Sequence, residues 1–330
     1  MTLSIKTWLA AHLYYAEPWE EFLINAVKPY VDTVLEKKLA EQFFFVRYWE
    51  RGPHIRLRFK GKKHILDQKT KPQLESFFLN YFKKNSSRRN EPERTRKLTE
   101  EQSWFPNNSL QFIPYEPEVE RYGGPVGILI SEKQFEVSSR AVLSIIKESN
   151  NWDYDRALGA AIQLHLSFAF SLGMDLTETT QFYSHIFKIW FSHAYGAEPN
   201  ISAEESKKSQ DLALKAFDEN FSRQKSILIP YHEKLLNAFE DNTEFEQAWL
   251  NSWLQEMTIV GNELRDAQKK RQLIIPDWFN PSPEINVPEA NQKLWPILES
   301  YVHMTNNRLG ILNRDEAYLG YLIKRSLEHL

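Results

Sequence analysis

The chain contains no cysteine. Disulfides, thiolate nucleophiles and zinc–thiolate sites are therefore excluded together. Neither sign of charge dominates: 41 Lys and Arg face 44 Asp and Glu, a net charge of −3. No global field draws the protein toward nucleic acid or an anionic membrane, so any basic feature must act locally. Also absent are HExxH, a Walker loop, GxGxxG and GxSxG, which leaves no sequence signature for a zincin, a nucleotide loop or a serine hydrolase. No apolar run approaches the roughly 18 residues of a membrane span. The N-terminus MTLSIKTWLAAHLYYAEPWEEF lacks the apolar stretch of a signal peptide. These absences lead to the expectation of a soluble, cytoplasmic protein. No repeat recurs at a fixed period.

What the chain has in quantity is ring surface. Aromatics reach 14 %, with 10 Trp, 14 Tyr and 21 Phe in 330 residues. That is enough to fill a sizeable core, and the length suggests two lobes. The first third alternates in type. Residues 7–15 are strand-like. Residues 18–39 carry helical spacing, with Pro29 expected to kink or divide the helix. Residues 42–49 form a β-rich run, Arg51-Gly52-Pro53 a turn, and 54–60 a strand. Helix follows in the second half of 64–82, and 110–122 reads as extended, an edge strand interrupted by Pro114 and Pro117. This β-α-β-β-α-β order is that of a ferredoxin-like split unit. The polar, basic stretch 83–97 reads as a mobile loop.

Beyond Gly123-Gly124 the pattern is helical, over 132–148, 153–173, 175–194, 202–222, 226–240, 243–258, 288–311 and 314–329. Asp153 is a candidate cap and Gly173 a stop. The fold class expected is α+β: a ferredoxin-like antiparallel sheet lobe over 1–124 carrying a basic strand, then a mostly helical lobe over 125–330 that completes an active-site cleft.

Three stretches carry chemistry. In RYWERGPHIRLRFKG, residues 47–61, polar His54, Arg56, Arg58 and Lys60 alternate with Ile55, Leu57 and Phe59. A row of like charge on one strand face is unfavourable. The planar fork of arginine also suits a carboxylate or a developing oxyanion better than lysine does. In YEPEVERYGG, residues 115–124, Glu116, Glu118 and Glu120 share an extended face, followed by Arg121. They would pair with the basic row if the strands adjoin. In SYVHMTNNRLGI, residues 300–311, His303, Asn306, Asn307 and Arg308 fall within about a turn of helix. An imidazole beside amides there is a general acid/base candidate. His165, in an apolar helix, reads as a satisfied core histidine. His185 and His193 are poorly spaced for a metal, and no metal site is expected.

These stretches resemble the three sequence blocks of the lantibiotic dehydratase C-terminal domain, also called the thiopeptide-type bacteriocin biosynthesis domain. FFFVRYWERGPHIRLRF is similar to its first block, YEPEVERYGG to its second and HMTNNRLGI to its third. Together they span residues 43 to 311. Thr305-Asn306-Asn307 before Arg308 departs from the family's third block. The resemblance implies glutamate elimination from glutamylated Ser or Thr of a ribosomal precursor peptide, giving dehydroalanine or dehydrobutyrine without a cofactor. It implies catalytic roles for Arg56, Arg58, Glu118, Arg121 and His303. Arg47, Tyr48, His54, Asn306 and Arg308 are the substrate-binding candidates. The expected partners are the precursor peptide, with its leader and glutamylated core, and a separate tRNA-dependent glutamyl transferase, for which this chain has no room. Abundant aromatic helices suggest a homodimer. Nucleic acid is not expected as a direct partner.

Two other readings remain open on sequence. Some family members form the nitrogen ring of thiopeptides by a formal [4+2] cycloaddition, which needs less acid/base machinery. Retention of the Glu118/Arg121 block and of His303 favours elimination. The chain could also be a non-catalytic leader binder or assembly partner.

Overall fold

The computed structural model describes residues 6–90, 103–196, 202–241 and 243–330. They divide into two units: residues up to Pro117 with Ser138–Trp152, and Glu118–Val137 with Asp153–Leu330. The division is not a single cut after Gly124, because part of the first long helix groups with the sheet.

In the first unit, strands β1 (Lys6–Tyr14), β2 (Gln42–Tyr48), β3 (His54–Lys62) and β4 (Ser109–Gln111) form one antiparallel sheet in the order β2-β3-β1-β4. Helices α1 (20–36) and α2 (63–84) complete the ferredoxin-like order. The period-2 pattern decides which face is buried. Leu13, Phe43, Phe45, Ile55, Leu57 and Phe59 are buried. Rings bridge this face to the helices: Tyr30 meets Phe59 and Phe78, and Phe22 meets Phe78 and Phe82. The other face carries the basic row.

Pro29 does not divide α1. A wide π turn at Leu23–Val27 precedes it, and the α-helix resumes at Lys28–Glu36. The same device precedes Pro72 in α2, with a π turn at Leu66–Thr70. A proline lacks the N–H of the ladder and crowds the carbonyl one turn earlier; the wider turn accommodates both.

The extended reading of 110–122 holds only for Ser109–Gln111, at the sheet edge. The prolines stop pairing, and 119–123 coil into a turn in which Tyr122 N–H donates to Glu118 O at 3.3 Å and Gly124 N–H to Val119 O at 2.9 Å. Glu116, Glu118 and Glu120 therefore do not line one strand. The first part of the basic loop is held: Ala16 N–H donates to Ser87 Oγ at 2.9 Å, Ser87 N–H to Asn108 Oδ1 at 2.8 Å and Arg89 to Phe105 O at 3.0 Å. Residues 91–97 of it lie outside the described residues.

Helix α3 (Gly124–Glu148) begins eight residues before the expected start at 132. The second unit continues with α4 (Tyr154–Ser171), α5 (Leu176–Tyr195), α6 (Ala203–Glu240), α7 (Ala248–Lys269), α8 (Trp295–Leu309) and α9 (Asn313–Leu327), plus a one-turn helix at Glu289–Gln292. Asp153 caps α4 by accepting from Arg156 N–H at 2.9 Å, and Gly173 stops the segment at φ +72°. The expected helices 202–222 and 226–240 are one helix with Pro230 inside it. Its core is built on Trp253, Trp295, Tyr183 and Tyr301, all essentially fully buried.

Gly123 and Gly124, at φ +84° and +85°, admit the turn into α3. Only glycine adopts this region without strain. A Cβ on Gly123 would also sit 2.7 Å from Ile297 Cδ1. Gly123→Ala is expected to lower stability by about 1–3 kcal/mol, read as a lower urea midpoint; an unchanged midpoint would show that this turn relaxes freely.

Candidate active site

On β3 the alternation of the sequence becomes a face. His54, Arg56, Arg58 and Lys60 sit opposite Tyr14, His12, Ala10 and Trp8 of β1, and opposite Tyr48, Val46, Phe44 and Gln42 of β2. Every cation of the row lies on a ring. The Arg56 guanidinium sits 3.3 Å from the Tyr48 ring centre, Arg58 lies 4.4 Å from Tyr115 and 5.0 Å from Phe44, and Lys60 lies 5.3 Å from Trp8. Neighbouring like charges about 7 Å apart repel by about 2 kcal/mol at an effective dielectric constant near 20. Each stack returns about 0.5–2 kcal/mol. The aromatic neighbours thus offset much of the repulsion along the row.

The histidines of this face are uncharged at neutral pH. His54 is fully buried; Gly52 O lies 2.7 Å from its Nδ1, and Arg56 Nε donates to its Nε2 at 3.3 Å. The Arg56 bond makes Nε2 the acceptor and Nδ1 the protonated donor. His12 stacks on His54 at 4.9 Å. Burial pulls His54 down to about 4 and His12 to about 3, the nearby arginines adding to both effects. Arg56 also meets Glu50 at 3.5 Å.

Arg47 does not join this row. It points to the helix-covered face, buried, with its guanidinium 2.7 Å from Glu20 and 5.9 Å from the Trp19 ring. Residues 46 and 48 alternate with it, so a one-residue step puts it in the core.

In the second unit, the 118–122 turn presents Arg121. Its Nε donates to Ser300 Oγ at 3.0 Å and its second nitrogen meets Glu118 at 3.3 Å. Ser300 lies three residues before His303 on α8, so Arg121 is anchored about one helical turn from the imidazole. His303 Nδ1 lies 2.7 Å from Glu316 Oε1, and its ring stacks on Trp190 at 4.8 Å. Glu316 is buried on α9, and its Oε2 accepts from Asn306 Nδ2 at 3.1 Å. The Asn306 carbonyl oxygen lies 2.7 Å from His165 Nε2. The chain His165–Asn306–Glu316–His303 assigns the protons consistently: His165 Nε2–H donates to Asn306, Asn306 to Glu316, and His303 Nδ1–H to Glu316. His303 Nε2 is then the basic nitrogen. Burial raises the Glu316 carboxyl, and the bonds from His303 and Asn306 oppose that.

Asn306 therefore orients the carboxylate from inside the bundle, while Arg308 is fully buried, donates to Met304 O at 2.8 Å and lies over Phe135. Neither presents its polar group at the surface. Sequence reading missed His12 and Glu316. His12 shares the period-2 face of Trp8 and Tyr14. Glu316 interrupts the apolar stripe of Ala317, Leu319, Gly320 and Ile323, where an acid without a partner would be costly. No group of three described His, Asp or Glu residues is arranged to hold a metal ion, and no described helix is long and apolar enough to cross a membrane.

Because His12, His54 and His165 are held below the ordinary 6.5, at about 3, 4 and 4, the unfolded chain binds more protons between about pH 4 and 6.5. Stability from these groups is complete above pH 6.5 and falls as pH drops, by about 1–2 kcal/mol per imidazole at pH 5. Glu316, raised rather than lowered, acts in the opposite sense. Urea midpoints should decline from pH 7.5 to pH 5; a flat profile would contradict neutral buried imidazoles.

The chain is built from a split β-α-β sheet unit and a helical unit, and its sequence places it in one class of natural-product biosynthesis domain. The chain matches the lantibiotic biosynthesis dehydratase C-terminal family over residues 8–327 and belongs to it. Among solved structures it is similar to the pyridine synthase TbtD from thiomuracin biosynthesis, with TM-score 0.74, 14 % identity and 98 % of each chain covered. It is similar to TsrL, with TM-score 0.67, 15 % identity, and 98 % of this chain and 95 % of that one covered. The tRNA-dependent lantibiotic dehydratase MibB from Microbispora sp. 107891 is also similar, with TM-score 0.57 and 17 % identity; 98 % of this chain covers 28 % of that one. A search of curated proteins gives no match.

Proposed function

We propose that this chain eliminates glutamate from glutamylated Ser or Thr of a ribosomal precursor peptide. The observation that carries this reading is the 2.7 Å hydrogen bond between His303 Nδ1 and buried Glu316, which leaves Nε2 as a supported base. His303 Nε2 takes the α-proton of the acylated residue. The electron pair left on Cα forms the Cα–Cβ double bond as the Cβ–O bond breaks, and glutamate departs with a carboxylate in place of the ester. Glu316 stabilises the imidazolium, and the Trp190 face adds a cation–π contribution. Arg121, one turn away, offers positive charge to the peptide carbonyl as enolate character develops. Arg56 and Arg58, on the sheet unit, carry planar guanidinium groups suited to a carboxylate. A tRNA-dependent glutamyl transferase is the partner this chemistry requires, since elimination needs an acylated hydroxyl.

A second reading is formation of a pyridine ring by formal [4+2] cycloaddition. What favours it is the likeness to a pyridine synthase along 98 % of both chains. One experiment separates the two. Incubation with a glutamylated peptide should remove the mass of glutamic acid for each modified residue. No loss there, with ring closure on a bis-dehydroalanine peptide, would replace the first reading by the second.

A further inference from the structure

Away from the residues discussed so far, the second unit encloses a cavity of about 320 Å³. It is lined by Leu172, Met174, Leu264, Leu294 and Leu298, with Glu178, Asn291 and Arg265 among its polar lining groups. This volume is about twice that of a benzene-binding cavity and lies in the range of small-ligand sites, which pair apolar walls with a few convergent polar groups. The polar groups are held in place. Asn291 Nδ2 donates to Glu178 Oε2 at 2.9 Å, and the Trp295 indole also bears on that carboxyl; a carboxylate has about four acceptor positions, so a further donor can still reach it. Arg265 donates to Leu172 O and, at 2.8 Å, to Asn262 Oδ1. Gly173 and Gly261 flank the guanidinium: a Cβ on either would stand 3.7 Å from Arg265 Nη1.

We infer that this cavity binds one aliphatic amino-acid residue, its side chain among the leucines, its nitrogen donating to Glu178 and its carbonyl or carboxylate oxygen accepting from Arg265. A carboxylate and a guanidinium in one pocket are complementary to an N–H donor and an oxygen acceptor on the same small ligand; a simple cation or a simple anion would satisfy one and be repelled by the other. Burial raises the Glu178 carboxyl, so a donor reaching it recovers interaction that solvent does not supply. The chemistry is shared by free leucine and by a leucine within a peptide. The inference is independent of whether the chain performs elimination.

The four methionines make the test direct. With ¹³C-methyl methionine, the Met174 signal is assigned by its absence in Met174→Leu. N-acetyl-L-leucinamide probes the peptide source and L-leucine the free amino acid; N-acetyl-L-glutamamide is the polar control. The expected result is a saturable shift of the Met174 methyl with one or both leucine probes and none with the control. Glu178→Gln should weaken binding by about tenfold. A shift with only one probe names the source. No shift with either, an equal shift with the control, or an affinity unchanged by Glu178→Gln overturns the assignment.

Discussion

Replacing His303 with alanine should lower elimination of glutamate by roughly 10²–10⁴-fold, the usual contribution of a positioned general base. The side chain is 18 % exposed and packs on Trp190, so its loss leaves the bundle core in place. Peptide binding should change little, which puts the loss in kcat. Glu316→Gln keeps the shape but gives up the charge that stabilises the imidazolium, and should cost a smaller factor than His303→Ala. The comparison is made by following glutamate release by mass spectrometry across pH, with the fold checked by circular dichroism. Wild-type turnover in a folded His303→Ala variant would move the base elsewhere and remove the main support for elimination.

The second large effect is on folding. Glu20→Ala removes the carboxylate 2.7 Å from the buried Arg47 guanidinium. A buried charge deprived of its partner costs about 3–5 kcal/mol; Glu17 and Trp19, also close to Arg47, soften this toward about 3. A Glu20→Leu/Arg47→Met double variant should be markedly more stable than Glu20→Ala, because an apolar pair leaves no stranded charge. Urea denaturation of the set checks both points. Equal stability of wild type and Glu20→Ala would mean that Arg47 is held by other groups.

Much of the sheet unit was legible because strand periodicity is short. Alternation from His54 to Lys60 named the buried face, and the β-α-β-β-α-β order named the topology. The strand 110–122 failed where two prolines and a Gly-Gly pair allowed a turn, which periodicity does not report. The site was legible where a residue type was unusual for its surroundings, as with arginines in a row. It was not legible where partners come from distant sequence: Glu316 supports His303 across a helix–helix contact, and His165, taken as a core histidine, is the inner end of the same chain of hydrogen bonds. Arg47 shows the opposite limit. Inclusion in a recognisable block put it among substrate-binding candidates, while its parity on β2 put it in the core.

The wide turns ahead of Pro29 and Pro72 have a bearing on how these helices tolerate insertion and deletion. Phe22, Ala26, Tyr30 and Val34 are buried in steps of four, as are Leu66, Thr70, Leu74, Phe78 and Phe82. At 3.6 residues per turn, each step of four overshoots by about 40°, so the first set would wander by about 120° around a straight α-helix. A single π turn takes up an extra residue and cancels about 100° of that drift. Deleting one residue from Leu23–Val27 would let ordinary winding return with Tyr30 and Val34 still facing the sheet, because seven and eleven residues at about 100° each end within about 20° of whole turns. The quirk in winding and the four-step spelling of the buried side chains have to change together.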